Sequence, residues 1–218
     1  EGMPYMVQKL TPYQVYNFGF HGYGPHQMLS AIQHGRVKDI IKNCTPRIVI
    51  YQTALFHASR SAGFAPWGLH GPKYILQPNG ALEYVGHFDD EKNDEISIRK
   101  LLLKSYAYQK YFNISYGDIK LFVEIIGYSQ KLIKEQYPDA EFHVIYWDKG
   151  RSDTINELVF KMLKSKGVHI HLISQILPDY AKKSSRYHIK NEGHPNALAH
   201  QLIAEYIVQR IVPARESV

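Results

Sequence analysis

Two short stretches of the 218-residue chain combine residue types suited to acid–base work beside a bound ligand. Near the C-terminus, Asn191-Glu192-Gly193-His194-Pro195-Asn196 sets an imidazole two residues from a carboxylate and directly before a proline. Proline has the fixed φ of a first helical position, so Pro195 predicts a helix starting there with His194 at its mouth. A helix N-terminus disfavours the imidazolium, which keeps a neutral base available near pH 7. Near the N-terminus, Gly19-Phe20-His21-Gly22-Tyr23-Gly24 is a glycine-rich turn leading into a helix.

Other chemistries fit these residues less well. The turn has the spacing G-x-x-G-x-G, Phe20 and Tyr23 crowd any phosphate, and no Gly-Lys-Ser/Thr follows, so neither a dinucleotide cradle nor a P-loop is expected. Twelve histidines raise the question of a metal. His169-Ile170-His171 puts two imidazoles on one face of a strand, with His143 on a neighbouring strand, but no His-Glu-x-x-His spacing accompanies them. No metal and no cofactor are expected. The single cysteine, Cys44, excludes an internal disulfide.

These groups need a scaffold, and the pattern is that of an α/β chain forming one domain over 1–218. A hydrophobic fraction of 44% and a charged fraction of 21% suit a soluble globular core, and no apolar run is long enough to span a bilayer. The net charge of +6 is spread along the chain among acidic residues, which argues against nucleic acid as the main partner. The residue pattern predicts strands over Gln14–Phe18, Arg47–Thr53, Glu141–Trp147 and Val168–Ser174, of which Arg47–Thr53 and Glu141–Trp147 are near-continuous apolar runs of the kind buried on both faces of a parallel sheet. Helices are predicted over His26–Asn43, Ile96–Tyr111, Asp118–Gln136, Asp153–Lys166 and Pro195–Ile211. Lys73–Gln77 and Ala81–Val85 flank Pro78-Asn79-Gly80 and read as an inserted β-hairpin. The alternation implies an open, flavodoxin-like parallel sheet with helices on both faces and ligand sites at the carboxyl ends of its strands.

The blocks NFGFHGYGPHQ, the Ile-Val-Ile-Tyr strand and EGHPNALAHQLIAEYI, spanning Val15 to Ile207, together resemble the SGNH (GDSL-type) hydrolases. The resemblance implies a serine ester hydrolase that needs no cofactor and acts on an acyl or acetyl ester, of a carbohydrate or a lipid, with His194 as general base and the Gly22 N–H as an oxyanion donor. The chain departs from the family pattern at three places. Asn191 stands where the usual acid lies, which leaves the orienting role to Glu192 or to Asn191 itself. The family's oxyanion asparagine is absent from Thr53–Arg60, so His57 or Gln52 is the candidate replacement. No Gly-Asp-Ser occurs anywhere, and the family's serine follows a central first strand. The expectation is therefore an N-terminally incomplete chain whose upstream segment carries that strand and the nucleophile. The competing expectation is an SGNH-like protein without catalysis that binds a glycan or acyl group with Tyr23, Arg60 and Trp67. The sequence says nothing of localisation.

Overall fold

The computed structural model describes residues 2–65, 67–68, 70–90, 101, 105, 114–148 and 154–212. In chain order its elements are α1 (Met3–Leu10), α2 (Pro25–Gln33), α3 (Arg36–Ile41), β1 (Ile48–Ala54), α4 (His57–Ser61), β2 (Pro72–Leu76), β3 (Leu82–His87), α5 (Tyr116–Gln136), β4 (Glu141–Trp147), α6 (Thr154–Ser165), β5 (His169–Leu172), α7 (Ile173–Ile176), α8 (Tyr180–Lys183) and α9 (Ala197–Arg210).

Three of the expected strands form one parallel sheet in the order β1-β4-β5, with Ile48 opposite Glu141 and His143 opposite His169. Successive side chains of a strand point to opposite faces. Phe142, Val144 and Tyr146 therefore join α5 and α6 in one core, while Ile145 joins α1, α7 and α9 in the other, together with Ile48 and Ile50 of β1. Helices thus cover both faces of the sheet, and all of Phe142 to Tyr146 is buried. No described helix is long and apolar enough to cross a membrane.

The local chemistry explains most boundaries. Ser115 caps α5: its Oγ accepts from the Asp118 N–H at 3.2 Å while the Asp118 carboxylate accepts from the Ser115 N–H at 2.7 Å. β2 and β3 form the antiparallel hairpin, turned at Gly80, whose φ of 84° suits glycine. The hairpin packs through Tyr74 and Leu82 onto Leu29 of α2 and Ile125 of α5.

Four elements differ from the sequence expectation. Gln14–Phe18 is no strand: β1 has no second neighbour among the described residues, and the Val15 N–H is taken by the Gln8 side chain at 3.2 Å. The helix expected over His26–Asn43 is broken in two at Gly35, which adopts a left-handed φ of 71°. β5 stops at Leu172, because the Asp148 carboxylate accepts from the Ser174 N–H at 2.9 Å and draws that residue into α7. Helix α1, built on Met3, Met6 and Val7 against α9, was not visible as a periodic run. The helix expected over 96–111 lies almost wholly outside the described residues.

Candidate functional site

The C-terminal block forms a turn tied at both ends. His188 bridges Pro195, the Ile189 N–H donates to the His194 carbonyl at 2.7 Å, and the turn closes through left-handed residues Asn191 (φ 67°) and Gly193 (φ 74°). Asparagine tolerates that conformation better than most residues, which accounts for Asn191 by the backbone alone. Asn196, not Pro195, sets the helix start. Its Oδ1 accepts from the Ala199 N–H at 3.1 Å, and its Nδ2 donates to the carbonyls of Arg186 (2.8 Å) and His188 (3.3 Å). Pro195 is held in the bridge to His188, so α9 begins two residues later than its proline suggests. The His194 imidazole is 62% exposed, and its Nδ1 lies 3.8 Å from Glu192 Oε2, within ion-pair range but beyond hydrogen-bond reach.

The glycine turn comes up to this block from the other end of the chain. The rings of His21 and His194 have their centroids 6.3 Å apart. Gly22 has a φ of 82°, and a Cβ there would stand 2.5 Å from Trp67 Nε1. Only glycine fits. The Gly22 carbonyl accepts from that indole N–H at 3.1 Å, while its own N–H has no partner among the described residues. The next glycine, Gly24, caps α2, with its N–H donating to Gln27 Oε1 at 2.7 Å.

Behind the turn lies a basic, aromatic corner. Arg60 Nη1 donates to the Tyr23 carbonyl at 2.7 Å and to His57 Nε2 at 3.1 Å. Because Nε2 accepts, the His57 proton is on Nδ1, which lies 3.0 Å from Thr53 Oγ1 and 3.4 Å from the Tyr51 hydroxyl. Burial, with the charge of Arg60 second, pushes His57 down to about 3 and His26 likewise to about 3, so both are neutral at pH 7. The one N–H of His57 is therefore turned to Thr53 and Tyr51, and its other nitrogen positions Arg60. Gln52 lies on the opposite face of β1 from Tyr51 and Thr53, on the side of Ile48 and Ile50. The two candidate replacements for the oxyanion asparagine thus flank the sheet instead of converging. Trp67 and Tyr23, both largely exposed, rim the corner with Phe56, and the guanidinium carbon lies over the Phe56 ring at 4.9 Å and the Trp67 ring at 5.7 Å.

The strand histidines do meet. The Tyr206 hydroxyl lies 2.9 Å from His171 Nδ1, His171 Nε2 lies 3.0 Å from His143 Nδ1, and His143 Nε2 lies 3.1 Å from Glu141 Oε2. With both rings neutral, every nitrogen of this chain is engaged. Among the described residues, no group of three or more histidine, cysteine or carboxylate side chains is placed to hold a metal ion. Sequence reasoning passed over His21 and His26. His21 had a signal, since it lies between the turn's glycines; the burial of His26 had none.

Comparison of the chain with protein-family models, with curated proteins and with solved structures finds no match. What is defined is the class: an α/β protein with a parallel sheet between helical layers.

Proposed function

We propose that this chain is the larger part of a serine ester hydrolase of the SGNH type, acting on an acyl or acetyl ester of a carbohydrate or lipid. The observation that carries the reading is the 6.3 Å approach of His21, in the glycine turn, to His194. It joins the two blocks on which the resemblance rests, though they stand at opposite ends of the sequence. In this reading an upstream serine attacks the ester carbonyl, and His194 takes the serine proton and returns it to the leaving alcohol. Glu192 faces His194 Nδ1 from 3.8 Å, and the Gly22 N–H, without a partner among the described residues, donates to the oxyanion. The second edge of β1, unpaired among the described residues, is where the resemblance puts the serine's strand.

Hydrolysis of p-nitrophenyl acetate by this chain and by an N-terminally extended form tests the proposal. Turnover by the extended form, lost in His194→Ala, supports it. Silence of both forms favours the second reading, a non-catalytic protein that binds a glycan or acyl group; the exposed Trp67 and Tyr23 beside Arg60 favour that reading.

A further inference from the structure

Among the described residues, Arg60 is held in place by uncharged groups only, through two hydrogen bonds that both leave from Nη1, to the Tyr23 carbonyl and the neutral His57 ring. Nη2 and Nε have no partner, and no carboxylate pairs with the guanidinium, among the described residues. The free edge is the fork geometry that binds two oxygens of one planar or tetrahedral oxyanion. A buried nitrogen lies beneath this corner: His26, only 1% exposed, leaves its Nδ1 without a hydrogen bond among the described residues. That nitrogen faces Gly24: a Cβ on Gly24 would lie 3.0 Å from His26 Nδ1 and 3.2 Å from Arg60 Cβ. Gly24 is also the N-cap of the nine-residue α2, so the positive dipole end of that helix lies beside Arg60. Phe56 and Trp67 stand over the guanidinium, exposed by 53% and 63%, and supply ring surface beside the charge.

From this we infer that the corner binds an oxyanion, a carboxylate or a phosphate, which the ligand carries next to an apolar or ring portion, with Arg60 as its bidentate partner and Trp67 and Phe56 against the ring. The inference takes from the hydrolase reading only the location of the ligand pocket, and it narrows the ligand to an acidic class.

The experiment uses fluorescence. The chain has two tryptophans, and Trp147→Phe leaves Trp67 as the sole reporter. That variant is titrated with benzoate, phenyl phosphate, inorganic phosphate and benzamide. The expected result is a saturable change in Trp67 emission with benzoate or phenyl phosphate, at affinities at least about tenfold above that of the uncharged benzamide. The tighter of the two acids tells carboxylate from phosphate, and inorganic phosphate shows how far the charge acts alone. Arg60→Gln lowers the affinity about tenfold or more, and Arg60→Lys, which keeps the charge and loses the fork, falls between. Equal binding of benzoate and benzamide, unchanged affinity in Arg60→Lys, or no saturable change with either acid overturns the inference. Hydrolysis enters nowhere: an inert chain that binds benzoate keeps the inference and loses the hydrolase, and an active esterase indifferent to ligand charge does the reverse.

Discussion

His21 and His194 meet with ring planes inclined by 45° and centroids 6.3 Å apart, so the first glycine turn and the last helix entry share one corner of the molecule. The two histidines are not equivalent in the proposed chemistry. Of the two, His194 alone lies within ion-pair range of a described carboxylate, at 3.8 Å from Glu192. In an N-terminally extended, active form, His194→Ala is expected to lower turnover by about 10²- to 10⁴-fold, as for a lost general base, and His21→Ala by no more than about tenfold. Because the His194 side chain is 62% exposed, its loss leaves the thermal midpoint close to that of the parent. Ester hydrolysis and circular dichroism on the same preparations check both halves, and an active His194→Ala variant removes its role as base.

Gly22 tests whether the turn is fixed by its packing. Alanine there takes a left-handed φ of 82° and drives its Cβ to 2.5 Å from the Trp67 indole nitrogen. The expected cost is ~1–3 kcal/mol, with a red shift of Trp67 emission as the indole leaves the Gly22 carbonyl. Thermal unfolding with Trp147→Phe as the background gives both quantities, and a variant with unaltered midpoint and emission contradicts this account of the turn.

Acid should weaken the fold well before its carboxylates titrate. Burial holds His26 and His57 down to about 3 and His171 to about 4, against an ordinary value of 6.5. Below about pH 6.5 the unfolded chain binds protons that the folded chain refuses, so the stability these histidines confer is complete above that value and is lost as pH falls toward 4 and 3. Urea midpoints are expected to drop steadily between about pH 7 and pH 5, with a smaller slope in His57→Gln. Midpoints flat over that interval would show that these rings are protonated in the fold.

β1 and β4 were legible because packing against helices on both faces leaves a residue signature that needs no context: Ile48–Tyr51 and Phe142–Trp147 contain almost nothing else, while the hairpin was legible from the Asn79-Gly80 turn between its strands. Gln14–Phe18 has a similar composition, yet a strand is defined by its neighbour, and among the described residues this segment pairs with none. The faces of the site were likewise hidden. Thr53 and Gln52 are adjacent in sequence, yet alternation sends one to His57 and the other to the far side of the sheet. His194 was found from its block, but the proline beside it gave a helix start two residues early, since a bridge to His188 outweighed the preference of proline for the first turn.

That last difference makes a discriminating substitution of Asn196, which does three things with one amide. Its Oδ1 caps α9, and its Nδ2 fastens the Arg186 and His188 carbonyls that hold the His194 turn. Asn196→Ala loses all three bonds, at ~1 kcal/mol for the cap and ~0.5–1.5 kcal/mol for each of the others. Aspartate is as good a helix cap as asparagine, so if capping were the whole role Asn196→Asp would be neutral. It is expected to be about as damaging as alanine, because its second carboxylate oxygen faces two carbonyl oxygens where an amide donated. Thermal midpoints of the two variants decide: an aspartate variant matching the parent reduces Asn196 to a cap and leaves the His194 turn without its anchor.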